Sequence, residues 1–341
     1  MHMADALVSP AVGISLWAAG TAVTAYSARQ SGKELSEQKI PLMGVMGAFV
    51  FAVQMINFAI PGTGSSGHLG GGLLLAVLLG SHAGFLVMTS ILMIQALLFA
   101  DGGLLALGCN VINLAFFPCY IAYPLIYRPI VGKNPSKLRL VLGVSLAAVM
   151  GLQLGATGVV LETVFSGITE LPLQTFAWFM LPIHLVIGLV EAAVTTVVLL
   201  YIWREMPELL KGESVPVHSE KRSLKRLVIA VLIAAVLISG ALSWFASERP
   251  DGLEWAILQT AGHAELQNSS WLHETLAQWQ QRLALLADYQ TRPAADVLEK
   301  TPNSPVDLDT SAAGITGVIL VLAIVGIVGA GCHLLAKGSA N

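Results

Sequence analysis

The sequence predicts an all-α protein that crosses a membrane several times. Of its 341 residues, 55% are hydrophobic and only 11% are charged, and the mean hydropathy is +0.74. Soluble domains carry about 25% charged residues, so this chain has too few to stay in water. Apolar runs of spanning length recur from one end of the chain to the other, which is the pattern of a polytopic membrane protein.

Nine apolar segments account for most of the chain. They lie at 11–28, 41–60, 68–81, 82–101, 104–127, 139–162, 173–203, 227–246 and 313–336. A hydrocarbon core about 30 Å thick needs about 20 helical residues, so the third segment is too short to cross it upright. Glycines 70–72 and the Gly80-Ser81 junction interrupt that segment, and we expect a broken helix that is surrounded by protein.

The basic residues predict the orientation of these segments. If all nine segments cross the membrane, fourteen of the eighteen Lys and Arg residues fall in loops on one side. Loops rich in basic residues stay in the cytoplasm. Residues 1–10 carry no Lys or Arg, so segment 11–28 is expected to remain as an uncleaved helix. The prediction is a bacterial cytoplasmic (inner) membrane protein with an extracytoplasmic N-terminus and a cytoplasmic C-terminus.

A polar linker at 204–226 divides the chain into two parts. Residues 1–203 hold seven apolar segments, and residues 227–341 hold two more as a helical hairpin. The hairpin encloses a long extracytoplasmic segment, 247–312, with ten acidic residues against four basic ones. This segment is either a solvated domain or a region that concentrates divalent cations near the membrane.

The first two residues form a candidate metal chelate. The Met1 amine, the peptide nitrogen between Met1 and His2, and the His2 ring can close two fused rings around one ion, and the bulk of His2 disfavours removal of Met1. Three nitrogens then lie in a plane with one corner open. A square of nitrogens suits Ni(II) or Cu(II), and it disfavours tetrahedral Zn(II) and six-coordinate Mg(II).

His68 is the candidate for the open corner. It lies in the glycine-rich loop 61–72, on the same side of the membrane as the N-terminus by the charge argument. Gly62, Gly64 and Gly67 match the spacing of nucleotide-binding loops, but no α/β unit surrounds them, and His68 stands where a phosphate-binding loop needs Lys. The alternative to a metal site is a flexible hairpin with an incidental histidine.

Polar residues inside the apolar segments are candidates for supporting the site. His184 and Glu191 share one face of the seventh segment, since they are seven residues apart. Asn110 and Asn113 lie in the fifth segment. Ionisable and amide side chains within a bilayer either bond neighbouring helices or mark a transport path, and the sequence leaves both interpretations open. The remaining histidines are expected to be solvated or interfacial: His82, His218, His263, His273 and His333.

Three motifs together resemble the CbiM/NikM family. They are Met1-His-Met-Ala-Asp-Ala-Leu-Val-Ser-Pro10, the glycine-rich loop with His68, and the stretch 184–191. The second part carries Pro250-Asp-Gly-Leu-Glu254, which resembles the PDGLE motif of the small CbiN/NikN-type partner. One departure is that 286–289 reads Leu-Ala-Asp-Tyr, where the family often has Leu-Pro-Asp-Tyr.

The resemblance implies a substrate-binding component of a cobalt or nickel energy-coupling factor (ECF) transporter, fused to its PDGLE partner. It implies a seven-helix bundle with Met1, His2 and His68 as ligands of Ni(II) or Co(II), which is the transported substrate. No organic cofactor and no nucleic acid are expected. The chain has no ATPase motif, so the resemblance also implies two separate ATPase subunits and a transmembrane coupling subunit.

Two other classes of function remain open at the level of sequence. An integral membrane metalloenzyme would use the same three residues to hold a catalytic ion, although an enzyme needs an exchangeable position for its substrate. A structural subunit would hold no metal at all.

Overall fold

The computed structural model describes residues 1–34, 39–211, 221–263, 266, 270–290 and 306–338. His218 lies outside the described residues. The main helices are α1 (Pro10–Glu34), α2 (Lys39–Gln54), α3 (Gly72–Leu79), α4 (Ser81–Leu98), α5 (Leu107–Val131), α6 (Lys137–Ser166), α7 (Leu173–Glu205), α8 (Lys221–Gly240), α9 (Gly252–Ala261), α10 (Trp271–Leu283) and α11 (Leu308–Gly338).

The described residues form a multi-pass, all-α membrane protein, as the sequence predicts. Five of the described helices are long and apolar enough to cross a bilayer, namely α4, α5, α6, α7 and α11. Helix α2 is apolar but shorter. Within α5, residues Ile112–Tyr127 form a π-helical stretch that contains Pro118 and Pro124. The wider turns of this stretch accommodate the two prolines, which have no backbone N–H to donate.

The third apolar segment is broken and enclosed, as its glycines predict. Helix α3 has 8 residues and all of them are buried. Gly80 then adopts a φ of +88°, and α4 begins at the next residue. A short helix at membrane depth has unpaired backbone groups at its ends, and the surrounding protein shields those groups from lipid.

One feature departs from a purely helical prediction. Strands β1 (Phe58–Ala59) and β2 (Ser66–Gly67) pair in antiparallel fashion just before α3. Gly62 and Gly64 in the connecting turn have φ values of +79° and +78°, which only glycine adopts at no steric cost. The glycine-rich loop is therefore a small ordered hairpin that ends at His68.

The second part of the chain packs directly on the first. Helices α8 and α11 pack on each other and on α2, while α11 also contacts α1 and α4. Helix α9 lies against α7, and α10 lies against α4. The segment before α9 follows the hairpin, because the Ser66 N–H donates to the Pro250 carbonyl at 2.8 Å and the Ser66 hydroxyl donates to the Arg249 carbonyl at 2.7 Å.

His273 corrects one expectation from the sequence. It is 5% exposed rather than solvated, and its Nε2 lies 3.1 Å from the Asp5 carbonyl and 3.0 Å from the Val8 carbonyl. Since carbonyls only accept hydrogen bonds, Nε2 carries a proton and ties the N-terminal segment to α10. His263 is exposed, as expected.

Candidate metal centre

The Met1 amine lies inside the protein, between the two parts of the chain. Its nitrogen is 2.9 Å from His68 Nε2 and 2.7 Å from Asp251 Oδ2. Met1 is only 4% exposed, and its methyl group packs beside Gly155 in α6. The terminal amine, which is usually solvated, is therefore enclosed next to the histidine of the glycine-rich loop.

The rings of His2 and His68 stack on each other. Their centroids are 5.1 Å apart with an interplanar angle of 13°, and their side chains are 7% and 9% exposed. His2 Nδ1 lies 3.1 Å from Asp101 Oδ1, while His2 Nε2 is buried with no hydrogen-bond partner among the described residues. The structure thus brings Met1, His2 and His68 together.

Asn110 holds the N-terminal segment in place. Its Oδ1 accepts from the Met3 N–H at 2.8 Å, and its Nδ2 donates to the Met3 carbonyl at 3.2 Å. Asn113 lies one step further away and donates to the buried Glu162 carboxylate at 2.7 Å. Asn110 therefore holds the backbone next to Met1 and His2, and Asn113 joins α5 to α6.

Glu191 fixes the loop that carries His68. Its two carboxylate oxygens accept from the backbone N–H groups of Gly70 and Gly71, both at 3.0 Å. Gln54 donates to the Gly70 carbonyl at 2.8 Å. These bonds satisfy the glycine backbone inside the bundle, where unpaired N–H and C=O groups would be costly. Glu191 contacts the backbone of the loop at Gly70 and Gly71 and makes no hydrogen bond to Met1, His2 or His68 among the described contacts.

His184 lines a small cavity below the amine. Its Nδ1 lies 2.8 Å from the Met180 carbonyl, so Nδ1 carries the proton and the buried, unpartnered Nε2 is an acceptor. Met1 and His68 line the same cavity, which has a volume of about 10 Å³. This volume holds at most about one water molecule. His184 is therefore a neighbour of the site, while Glu191, on the same helix face, is part of the loop support.

Burial and neighbouring charges set the pKa values of His68, Asp251 and Asp101. Burial, reinforced by the terminal ammonium, lowers the pKa of His68 to about 3, so the ring is neutral and has a free lone pair for a metal. Burial alone would raise the pKa of Asp251, but the ammonium and His68 hold that pKa below its ordinary value. Burial would likewise raise the pKa of Asp101, but His2 holds that pKa below its ordinary value.

Sequence reasoning does not assign Asp101, Asp251 or Tyr289 to the site. Asp251 is visible in the sequence only as part of the PDGLE-like motif. Asp101 lies shortly after the apolar helix α4, where its charge is also conspicuous. Their contacts with residues 1 and 2 span about a hundred and 250 positions, so no local pattern could pair them.

Conventional metal ligands alone do not form a site in the described residues. No group of three or more His, Cys, Asp or Glu side chains there is arranged to hold an ion. Cys109, Cys119 and Cys332 are free and buried. The described His, Cys, Asp and Glu side chains therefore do not by themselves indicate a metal centre.

Comparison with known families identifies both parts of the chain. Residues 2–209 match the CbiM model, described as a cobalt uptake substrate-specific transmembrane region. Residues 225–333 match the PDGLE domain.

Two curated relatives match nearly the full length of the chain. A putative fused nickel transport protein NikMN from Archaeoglobus fulgidus is 30% identical over 95% of this chain and 96% of its own. The fused nickel transport protein NikMN of Rhodobacter capsulatus is 29% identical, with 96% of both chains covered. The cobalt transport protein CbiM of Geobacter sulfurreducens is 27% identical over 76% of this chain and 77% of its own.

A solved structure shares the fold of the first part. The crystal structure of a transition metal transporter superimposes with a TM-score of 0.54 and 31% identity, covering 62% of this chain and 96% of that one. Together with the family matches and the enclosed N-terminus, this shows that the chain belongs to the CbiM family of substrate-specific transmembrane components and carries a PDGLE domain fused behind it.

Proposed function

We propose that this protein is the substrate-specific component of an ATP-driven ECF-type importer of divalent nickel or cobalt. Met1, His2 and His68 capture the ion as four nitrogens: the amine, the His2 peptide nitrogen and the two rings. The observation that carries the proposal is the 2.9 Å separation of the Met1 amine from His68 Nε2, inside the protein and beside a stacked His2 ring.

The separation of these two atoms fits two adjacent corners of a square. Metal–nitrogen bonds are about 2.0 Å long, so neighbouring nitrogens in a planar site lie about 2.8 Å apart. The amine and His68 Nε2 already stand at this spacing. The ion would then take the place of the proton between these two nitrogens, and the amine and His68 would not have to move closer together.

The carboxylates make the exchange of protons for an ion electrostatically neutral. Chelation displaces one proton from the terminal ammonium and one from the His2 peptide nitrogen, and it adds a dication. Asp251 at 2.7 Å from the amine and Asp101 at 3.1 Å from the His2 ring therefore balance the same net charge before and after capture. A buried site that keeps its net charge avoids a large desolvation cost.

The membrane arrangement supports import from outside. Residues 1–203 are proposed as a seven-helix ECF bundle, 204–226 as a cytoplasmic linker and 227–341 as the PDGLE domain with two transmembrane helices. The N-terminus and the site face the extracytoplasmic side. At the other end of the bundle, the lining of a cavity of about 400 Å³ includes Lys39, Arg128 and Lys133, and also Leu209 and Leu210 of the linker. This cavity is the candidate contact for the coupling subunit and its two ATPases.

The metalloenzyme alternative has less support. Four nitrogens saturate a planar ion and leave no corner for a substrate in the plane. The relatives are named as transport proteins. We propose both Ni(II) and Co(II) as substrates, since the same planar set of four nitrogens accepts either ion.

Metal retention by the purified full-length chain tests the proposal. The protein is exposed to an equal mixture of Ni(II), Co(II), Zn(II) and Mg(II), dialysed, and analysed for bound metal. We expect about one Ni(II) or Co(II) per chain, and a folded His68→Ala variant that retains neither. Retention of Zn(II), or equal retention by the variant, would contradict the site.

A further inference from the structure

We propose that Tyr289 of the PDGLE domain is a positioning residue for the metal centre. It acts on His2 through Asp101, and this inference rests on the proposed chelate. The Tyr289 hydroxyl donates to Asp101 Oδ2 at 2.6 Å, while Asp101 Oδ1 lies 3.1 Å from His2 Nδ1. One carboxylate thus joins a tyrosine of the second domain to a ring of the proposed chelate.

The backbone around this contact is strained on both sides. Ala100, Asp288 and Tyr289 have φ values of +55°, +52° and +59°, and they are the only non-glycine residues of the described chain with positive φ. Each such conformation is sterically unfavourable for an L-amino acid other than glycine. Strain of this kind persists where the surrounding structure requires it, and it clusters at functional sites. Here it is confined to the two segments that bring Tyr289 and Asp101 together.

Several bonds hold these two segments against each other. The backbone N–H groups of Leu286 and Asp288 donate to the carbonyls of Leu98 and Phe99 at 2.9 and 3.0 Å. Gln280 from α10 donates to the Gly102 carbonyl at 2.7 Å. The Tyr289 ring stacks on Phe99, with centroids 4.7 Å apart. The second domain therefore encloses the loop that carries Asp101 from both sides.

The orientation of the His2 ring explains what Asp101 controls. Only Nδ1 can close a chelate ring with the peptide nitrogen of its own residue, and Nδ1 is the atom that faces Asp101. Nε2 is buried without a partner among the described residues. A half-turn about Cβ–Cγ frees Nδ1 for the ion and moves Nε2 to the former position of Cε1, one bond from the contact with Asp101. Nε2–H can then donate to the same carboxylate.

Asp101 thus serves both ring orientations, and Tyr289 keeps it in place for both. A carboxylate that accepts from the second nitrogen of a ligating histidine fixes the ring and raises its basicity, and its loss costs about 10-fold to 100-fold in metal affinity. Loss of the tyrosine hydroxyl removes one hydrogen bond worth about 1 kcal/mol, which is about a fivefold loss of affinity.

A double-mutant cycle on the full-length chain tests this assignment. Ni(II) affinity is measured by competition with a chromophoric chelator for the wild type, Asp101→Asn, Tyr289→Phe and the double variant. We expect losses of about 10-fold to 100-fold for Asp101→Asn and about fivefold for Tyr289→Phe. The double variant should bind within about twofold of Asp101→Asn, because Tyr289 acts only through that carboxylate.

Two further measurements separate positioning from general packing. Tyr120→Phe removes another tyrosine hydroxyl, half-buried and bonded to Ser27 and His82 far from the amine, and it should leave affinity unchanged. The d–d absorption band of bound Cu(II) should shift in Tyr289→Phe and not in Tyr120→Phe. This spectrum also decides the question if Asp101→Asn does not fold.

The outcomes distinguish failure of this inference from failure of the proposed function. If Tyr289→Phe matches the wild type in affinity and spectrum while His68→Ala loses the ion, Tyr289 has no role and the chelate stands. Additive losses in the double variant would also overturn the route through Asp101. If the wild type itself binds no ion, the proposed function is the part that fails.

Discussion

Replacing Glu191 by Gln tests how the glycine loop presents His68. The carboxylate accepts from the N–H groups of Gly70 and Gly71, both at 3.0 Å, inside the bundle. An amide keeps one oxygen as acceptor and turns an NH₂ group toward the other N–H. One buried N–H then loses its partner, at a cost of about 1–3 kcal/mol.

The loss should appear as weaker metal binding. Without its second anchor, the loop relaxes in the metal-free protein, and capture must pull His68 back beside the amine. A cost of about 1–3 kcal/mol corresponds to a fall in affinity of about 5-fold to 150-fold. Chelator competition with Ni(II) measures this value, and hydrogen exchange at Gly70 and Gly71 should accelerate in parallel.

Glu170→Gln is the matched control, because Glu170 is exposed. It should bind Ni(II) as the wild type does. If Glu191→Gln also binds within about twofold of the wild type, with unchanged exchange at the two glycines, the loop does not depend on this carboxylate. Glu191 would then be a packing residue of α7 with no influence on the metal centre.

Three other predictions follow from the site. His68→Ala should abolish tight Ni(II) binding while leaving the thermal unfolding of the metal-free protein within a few degrees; retention of tight binding would exclude His68 as a ligand. Ni(II) capture should release about two protons per ion, so the affinity should fall by about 100-fold per pH unit on acidification. His68 should release no third proton near neutral pH, because its pKa is about 3. Calorimetry in buffers of different ionisation enthalpy counts the released protons, and a third proton would contradict this assignment. Gly71→Ala should destabilise the protein by about 2–5 kcal/mol, because the φ of Gly71 is +78° and a Cβ would stand 2.5 Å from Val50 Cγ1. Gly62 has a φ of +79° but open space around it, so Gly62→Ala should cost only about 1–2 kcal/mol. Equal changes in the free energy of unfolding for the two variants would contradict this difference.

Periodicity and composition are sufficient to predict the fold class. Long apolar runs leave few alternatives to membrane helices, and the glycines around α3 mark its break in the sequence itself. The β1–β2 pair is beyond this reasoning, because two-residue strands have no sequence period. The buried position of His273 is also beyond it, since that burial depends on α10 docking over the N-terminal segment.

The chelate can be proposed from the sequence because its chemistry is local. An amine, a peptide nitrogen and a ring on residues 1 and 2 define three donors without any fold. His68 can be added because the charge argument puts its loop on the same side. The roles of Asp101, Asp251 and Tyr289 cannot be derived in this way, because they depend on how the second domain closes over the first.

Moving the amine tests capture by the N-terminal nitrogens most directly. An extension of four residues before Met1 removes the free amine from the site without substituting any side chain. One extra residue would not suffice, because an amine, two peptide nitrogens and the His2 ring would then fill all four corners without His68. We predict that the extended full-length protein stays folded in the membrane and no longer retains Ni(II) or Co(II) through dialysis. Retention of one ion per chain, with the affinity of the original protein, would contradict capture by the N-terminal nitrogens.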